Sequence, residues 1–503
     1  MSRQHNLALL AEEALERHGD YDSLFFEGTW YRSEDVAARA RRLAGGLVEL
    51  GLEPGDRVVV MMPNAPEVPI VYHALWRAGA AITPAIFLLP PDELHHVIAD
   101  SEAKAIVTSP EFLPTVTSAC EGVDTLKWII NVGDETDGVL ALSSLEDAAE
   151  IPIVDRHDDD LAALMYTGGT TGRAKGVMLS HENLYFAGQS AQKASHAPGL
   201  TRTIVPLPLA HSFGLIVTVV GLHREEPHVA ILQRWFDAAN WIELVEEHRA
   251  QQSTVVPTML QILLGLPLED HDLSSLEDIV SGASPLPLEV AQEFERRVPS
   301  VKIREGYGLS ETSASCSVNP LGEGRTGSVG KMIPGFDVRI VDEDDNDVAA
   351  GEIGEVLIRG KGVMLGYWRS PEATADSIRD GWFYTGDLGK VDEDGYLYIV
   401  DRKKDLIIRG GFNVYPRDIE DALTAHPAVS VAGVVGKPDP VKGEEVVAFV
   451  QLAAGAEATP GEIVEFSKTK LGAYKYPREV RIVDQVPLTS VLKIDRKKLR
   501  TLL

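Results

Sequence analysis

Short apolar runs of strand length recur along the first two-thirds of the chain, with amphipathic segments between them. Residues 57–62 (RVVVMM) follow the turn signal Glu53-Pro54-Gly55-Asp56 and precede a helix expected over 67–78, stopped by Gly79. Further runs lie at 105–108, 128–132 and 161–165. Such alternation predicts an α/β architecture with largely parallel sheets. No repeat of solenoid period is present. Past Gly327 the texture changes. Runs at 338–342, 355–359 and 396–400, separated by Asp/Gly turns, predict short antiparallel strands. The charge cluster 401–405 then separates two β-rich runs. Beyond it an α+β pattern predicts helices near 418–424 and 460–470 and strands near 431–435 and 445–452. The expected boundary is near Asp401, giving domains 1–400 and 401–503.

At 503 residues the chain is long enough for more than one core. Hydrophobic residues at 44% and charged residues at 24% match a globular enzyme rather than a disordered chain. The net charge of −29 disfavours nucleic acid and anionic membranes as general partners. A phosphate-bearing substrate would need a local basic patch, and Lys475, Arg478, Arg481, Lys493, Arg496, Lys497, Lys498 and Arg500 supply one in sequence. Lys497 and Lys498 read better as a solvated helix face. Two cysteines, Cys120 and Cys316, have no metal-ligand spacing and fit a reducing compartment. The N-terminus shows no secretory apolar segment, and 213–222 is too short to span a bilayer. A cytoplasmic protein without integral membrane association is expected.

The richest chemistry lies at 166–176, YTGGTTGRAKG. Gly168, Gly169 and Gly172 allow close backbone approach, and successive N–H groups in such a loop can form an anion nest. Thr167, Thr170 and Thr171 add hydroxyls; Arg173 and Lys175 add positive charge. No Gly-Lys-Ser/Thr completes a Walker A loop. Phosphate binding is the expected use.

Glu305-Gly-Tyr-Gly-Leu-Ser-Glu-Thr312 places Tyr307 between Gly306 and Gly308, so its ring can lie against a planar ligand. Glu311 is a hard carboxylate suited to Mg²⁺, and Thr312 offers a hydroxyl; a turn with a surface carboxylate is the competing description. Gly282-Ala283-Ser284-Pro285 would by itself be a turn. Asp387, in YTGD, has the two acceptor oxygens that clamp adjacent ribose hydroxyls. Gly410, Gly411 and Phe412 could line a thin ligand or form a hairpin turn. His211 follows an apolar run and precedes Ser-Phe-Gly.

Taken in order, these motifs resemble the adenylate-forming superfamily of acyl-CoA synthetases, peptide-synthetase adenylation domains and luciferases, over about residues 10 to 500. The flavour of 410–416 is most similar to fatty acyl-CoA ligases. The resemblance implies a large domain of doubly wound sheets with a small β-barrel-like subdomain, then a small mobile α+β domain. It also implies a nucleotide site of Thr167 to Gly172, Lys175, Gly282, Ala283, Ser284, Glu305, Gly306, Tyr307, Gly308, Thr312, Asp387, Arg402 and Lys493. Glu311 falls on the metal ligand, Lys404 on the hinge, and Gly410–Phe412 on the pantetheine tunnel of CoA ligases. Lys493, His211 and Thr170 fall on catalytic positions. Leu492 stands where relatives usually have Gly, and 221–228 (GLHREEPH) carries charge where relatives are apolar.

The implied reaction forms an acyl-adenylate from a carboxylic acid and ATP with Mg²⁺, releases pyrophosphate, and transfers the acyl group to CoA. The absence of an acid after His211 argues against a free α-amino acid substrate. Other acceptors remain open: a carrier-protein thiol, an amine, or a nitrite-dependent diazotisation. Survival of Thr170, Glu311, Asp387 and Lys493 disfavours a silent scaffold. A monomer or homodimer is expected.

Overall fold

The computed structural model describes residues 5–167, 173–489 and 493–503. It resolves into two compact units, one of residues 1–286, 290–337 and 358–383, the other of 287–289, 338–357 and 384–503.

The first unit holds two large sheets. In the nine-stranded one, Lys302–Tyr307, Asp278–Ser281, Gln252–Val255, Arg202–Val205, Val229–Leu232 and Asp22–Phe26 run side by side and parallel. In the eight-stranded one, Ala81–Pro84, Arg57–Met61, Ala105–Thr108 and Trp128–Asn131 are parallel as well. The run at 57–62 becomes a strand whose Val58, Val59 and Val60 are buried on both faces, as a central parallel strand requires. The helix expected at 67–78 is Glu67–Arg77. One core packs Ile204, Trp241, Val255, Ile279 and Phe294 on one face of the larger sheet. Another packs Val59, Met61, Ile98 and Ile106.

Antiparallel pairs occur in both sheets as well. Asp22–Phe26 turns back on Thr29–Arg32 as an antiparallel edge. The loop after Thr167 also joins an antiparallel pair, Leu161–Thr167 with Lys175–Ser180, instead of a strand and a helix. Its residues 168–172 lie outside those described.

A five-stranded sheet carries Phe336–Val341, Gly354–Gly360 and Trp382–Val391, with Leu397–Arg402 antiparallel to the last. The C-terminal sheet pairs Val429–Asp439 with Gly443–Leu452, and Glu479–Ile482 joins it in parallel. Helices Pro416–Thr424 and Pro460–Lys470 follow the expected positions, and Ile419, Leu423, Val434, Ala448 and Ile463 form their core. Among the described residues no helix is long and apolar enough to cross a membrane.

Candidate active site

In the first unit the candidate residues gather at the carboxyl ends of parallel strands, the usual place for ligands in an open α/β sheet. Thr167 and Lys175 are register partners at the end of the hairpin that bears the Gly-rich loop. Gly366–Tyr367 extends the same sheet, pairing Tyr367 with Val177. This brings Tyr367 beneath Lys175, whose Nζ stands 5.1 Å from the ring centre. The Tyr367 hydroxyl donates to Glu311 Oε1 at 2.9 Å. Burial, then the Glu311 charge, pushes the Tyr367 phenol upward, so it stays protonated and donates. Sequence reasoning missed Tyr367. The only signal was the aromatic pair Tyr367-Trp368 after a glycine, which local pattern cannot aim at Glu311.

Glu311 sits on a single 3₁₀ turn, Ser310–Thr312, braced by Met364 N–H donating to the Glu311 carbonyl at 2.8 Å. Thr312 was expected to offer its hydroxyl to phosphate. Here it has no exposed surface, and the hydroxyl accepts from Leu309 N at 3.0 Å and donates to Leu309 O at 3.1 Å. In this structure it holds the turn that presents Glu311. Gly308 is required by space, since a Cβ there would lie 2.0 Å from the Ala314 carbonyl oxygen. Tyr307 ends its strand with Ser317 opposite, and Glu305 pairs in register with Ser281. Gly282 directly follows that neighbouring strand, and Ala283 takes a left-handed φ of 68°. The Gly282, Ala283, Ser284 segment and the Glu305 to Gly308 segment therefore flank one another. Buried Cys316 packs behind Tyr307, with its thiol 3.4 Å from the Tyr307 carbonyl.

His211 caps the helix Ser212–Leu222, its Nδ1 accepting from Phe213 N at 3.2 Å. With Nδ1 used as acceptor, a neutral ring carries its proton on Nε2. Ser310 Oγ donates to Ser212 Oγ at 3.2 Å, tying the helix start to the Glu311 turn. Buried Asn64 fixes the approach by accepting from Leu209 N at 2.8 Å and donating to Leu207 O at 2.8 Å.

The second unit carries the other candidates. Asp387 and Arg402 are register partners, with Arg402 Nε 3.4 Å from Asp387 Oδ1. Asp387 is buried while Arg402 stays half exposed. Lys404 lies exposed on the short turn Lys403–Asp405. Gly410 and Gly411, at φ 60° and 81°, form the two-residue turn between Ile407–Arg409 and Phe412–Val414. That turn demands positive φ at both centres, so hairpin geometry alone accounts for the glycines. Phe412 remains 58% exposed, its ring centre 5.1 Å from that of Tyr474.

Lys493 is held in a clasp: Thr489 N donates to Lys493 O at 2.7 Å, and Lys493 N donates to Thr489 Oγ1 at 3.2 Å. Leu492 lies outside the described residues. Half of the expected basic patch is ion-paired within its own unit, through Lys475, Arg481, Arg496 and Arg500. Arg500 pairs with Asp405 at 2.7 Å, Arg496 with Glu420 at 2.6 Å, and Lys475 with Asp418 at 2.5 Å. The sequence stretch looked basic because the acidic partners of these three lie far away along the chain.

Residues 11–368 match the family profile described as AMP-binding enzyme, and 418–493 match the AMP-binding enzyme C-terminal domain. A long-chain-fatty-acid–CoA ligase of Bacillus subtilis (strain 168) is 34% identical over 526 aligned residues, covering 98% of this chain and 94% of that protein. The ATP-bound structure of MatB from Rhodopseudomonas palustris has a TM-score of 0.90 at 32% identity, covering 99% of each chain. The amide bond synthetase McbA from Marinactinospora thermotolerans has a TM-score of 0.89 at 28% identity, covering 99% of this chain and 100% of that one. The chain belongs to the AMP-binding enzyme family.

Proposed function

We propose that this protein is an acid–thiol ligase that activates a carboxylic acid with ATP and transfers the acyl group to CoA. The observation that carries the reading is the Lys175, Tyr367, Glu311 cluster at the root of the Gly-rich loop. It sets a cation for phosphate beside a carboxylate for metal. In the first step a carboxylate oxygen attacks the α-phosphorus and pyrophosphate leaves. In the second the CoA thiolate attacks the mixed anhydride and AMP leaves.

Each candidate residue has a place in this scheme, Thr312 beside Glu311 at the phosphates. The loop from Thr167 to Gly172, with Lys175, cradles the leaving pyrophosphate. Gly282, Ala283 and Ser284 cover one side of the adenine, and Glu305, Gly306, Tyr307 and Gly308 the other. Asp387 clamps the ribose beside Arg402. His211 borders the reacting carboxylate. Lys493 bridges that carboxylate and the α-phosphate, where charge builds in the transition state. The 401–503 domain turns about Lys404, withdrawing Lys493 and bringing Gly410, Gly411 and Phe412 to the thiol.

Glu311 fits a Mg²⁺ ligand, because Tyr367 occupies Oε1 and Oε2 remains a hard oxygen donor. Bound there, Mg²⁺ supplies charge neutralisation for the phosphates. We place the enzyme in the cytoplasm, as a monomer or homodimer.

A second acceptor class, an amine, is supported by the likeness to an amide bond synthetase and by a hairpin turn that explains Gly410 and Gly411 without CoA. The test measures pyrophosphate release and CoA-dependent AMP release over a panel of acids. Thioester formation supports the ligase. Adenylate formation without thioester for any acid moves the acceptor to an amine or another thiol, and no pyrophosphate release with any acid removes adenylation itself.

A further inference from the structure

The charged segment after helix Ser212–Leu222 reaches the same sheet face as the proposed adenylation site. Strand alternation and register put Gln252 and Thr254 on one face of their strand, beside Asp278 and Val280, with Gly282 continuing that face. The helix meets this face near both of its ends. Phe213 lies at Gly282, where a Cβ would stand 3.2 Å from the ring. At the other end Arg224 Nη2 donates to Gln252 Oε1 at 3.3 Å. Phe213, Val217, Val220 and Arg224 follow helical spacing and share one stripe. All four keep partial exposure, as do Thr254 and Val280 on the sheet. The opposite helix face is filled instead: Val219 packs so close to Gly188 that a Cβ there would stand 2.6 Å away. These partly exposed residues thus line a seam between helix and sheet, about 16 Å long for 11 residues at about 1.5 Å each. It starts near His211 and ends at Arg224.

At the far end of this seam Arg224 forms no ion pair of its own among the described residues. Arg224 is largely buried, its Nε has no partner among the described residues, and its guanidinium reaches only the neutral Gln252 amide. Asp278 is the acid nearest in this network, but Arg304 already takes both its oxygens, at 2.7 and 2.8 Å. That pair is 3% exposed on each side. His228 is held neutral, since burial and then Arg224 lower its affinity for a proton well below the ordinary range. Glu225 and Glu226 are exposed. Two guanidinium groups therefore face one carboxylate, and on the same sheet face the Thr254 hydroxyl is buried with no partner among the described residues. Burial lowers Arg224 to about 10, the direction expected of a cation lacking a counter-charge. A buried charge of this kind is costly unless something pairs with it.

We propose that the acid activated here is an α,ω-dicarboxylic acid, whose second carboxylate pairs with Arg224 and accepts from Thr254 while its methylene chain lies along Val217, Val220 and Val280. This rests on the proposed adenylation and narrows its substrate class. The second carboxylate supplies the missing negative charge in a bidentate geometry that suits guanidinium. A plain fatty acid would bring a methyl group against a buried cation and leave it unpaired.

The test compares pyrophosphate release for α,ω-dicarboxylic acids of increasing length with monocarboxylic acids of equal carbon number. Wild type, Arg224→Leu, Arg224→Lys and Thr254→Val are assayed together, with thermal unfolding of each. Wild type should favour the best diacid over its monoacid at least about tenfold in kcat/KM, and Arg224→Leu should lose about 100-fold on the diacid alone. Arg224→Lys should keep part of the preference. Thr254→Val, which leaves the charge untouched, should show a smaller selective loss and covers the case in which the arginine variants do not fold. Monoacids preferred by wild type, or a diacid preference that survives Arg224→Leu, overturns the inference and leaves adenylation standing. Failure of every acid to release pyrophosphate overturns both.

Discussion

Tyr367 donates its hydroxyl hydrogen to Glu311 across 2.9 Å, while Lys175 lies over the same ring. Three segments far apart in sequence are thereby fixed around one carboxylate. The tyrosine orients a potential metal ligand without itself carrying charge. Tyr367→Phe keeps the ring under Lys175 and removes only the donor. A hydrogen bond to a charged acceptor contributes about 1.5–3 kcal/mol, so the Mg²⁺ needed for half-maximal pyrophosphate exchange should rise roughly tenfold or more. Thermal stability should change little. Titration of exchange rate against Mg²⁺ at saturating ATP checks this, and an unchanged curve takes Tyr367 out of the site.

Asp387 faces Arg402 across an antiparallel pair, buried against a half-exposed partner. If its oxygens clamp the ribose, Asp387→Ala should raise the KM for ATP by about 100-fold, from the loss of two hydrogen bonds to a charged acceptor. Arg402→Ala should act in the same direction but more weakly, because an exposed cation contributes little through solvent. Initial rates over a range of ATP concentrations separate the two. ATP kinetics left unchanged in the Asp387 variant would falsify the nucleotide assignment.

The legible part of this fold is what short-range pattern can carry. Short β-branched, apolar runs such as 57–62 and 105–108 form buried strands, and the helix before Gly79 stops where its pattern stops. Pattern at 161–179 gave the apolar flanks but not their antiparallel pairing, since strand direction is set by the partner. At the site, residue chemistry singled out Glu311 and Asp387 because few side chains offer hard or paired oxygens. It did not find Tyr367, 56 positions from Glu311, because only tertiary structure brings the two together. The basic C-terminus misled for the same reason: Arg496 and Arg500 look free in sequence, yet Glu420 and Asp405 meet them in space.

His181 is fully buried, and burial followed by the Arg156 charge holds it at about 4, below its ordinary 6.5. Its Nδ1 accepts from Leu7 N at 3.2 Å. Above pH 6.5 neither folded nor unfolded chain protonates this ring, so its contribution to stability is intact there. As pH falls from 6.5 towards 4, the unfolded chain takes up a proton that the folded ring refuses, and stability falls. Asn at this position preserves an acceptor for Leu7 and cannot titrate. His181→Asn should therefore lose less stability than wild type between pH 7 and 5, read as urea midpoints. Parallel curves for the two proteins would show that His181 does not drive the acid sensitivity.

Lys493 and Phe412 lie in the same unit but should fail in opposite half-reactions. Lys493 is clasped to Thr489 through its own backbone, so its side chain can be removed without disturbing either hydrogen bond. A transition-state charge contact contributes on the order of 3–4 kcal/mol, and Lys493→Ala should slow adenylate formation by two to three powers of ten, roughly. Thioester formation from presynthesised acyl-adenylate should be nearly spared. Phe412 is more than half exposed and follows a turn whose glycines are explained by their own φ angles. Phe412→Ala therefore leaves the hairpin intact, whereas a bulky residue at Gly411 would strain the turn and confuse the result. If the ring covers the pantetheine arm, Phe412→Ala should raise the KM for CoA while pyrophosphate exchange continues at the wild-type rate. The two half-reactions are measured separately in both variants. Equal losses in both steps for Lys493→Ala would remove the division of labour between the two conformations. An unchanged CoA requirement in Phe412→Ala would move the acceptor site away from this hairpin and favour the amine alternative.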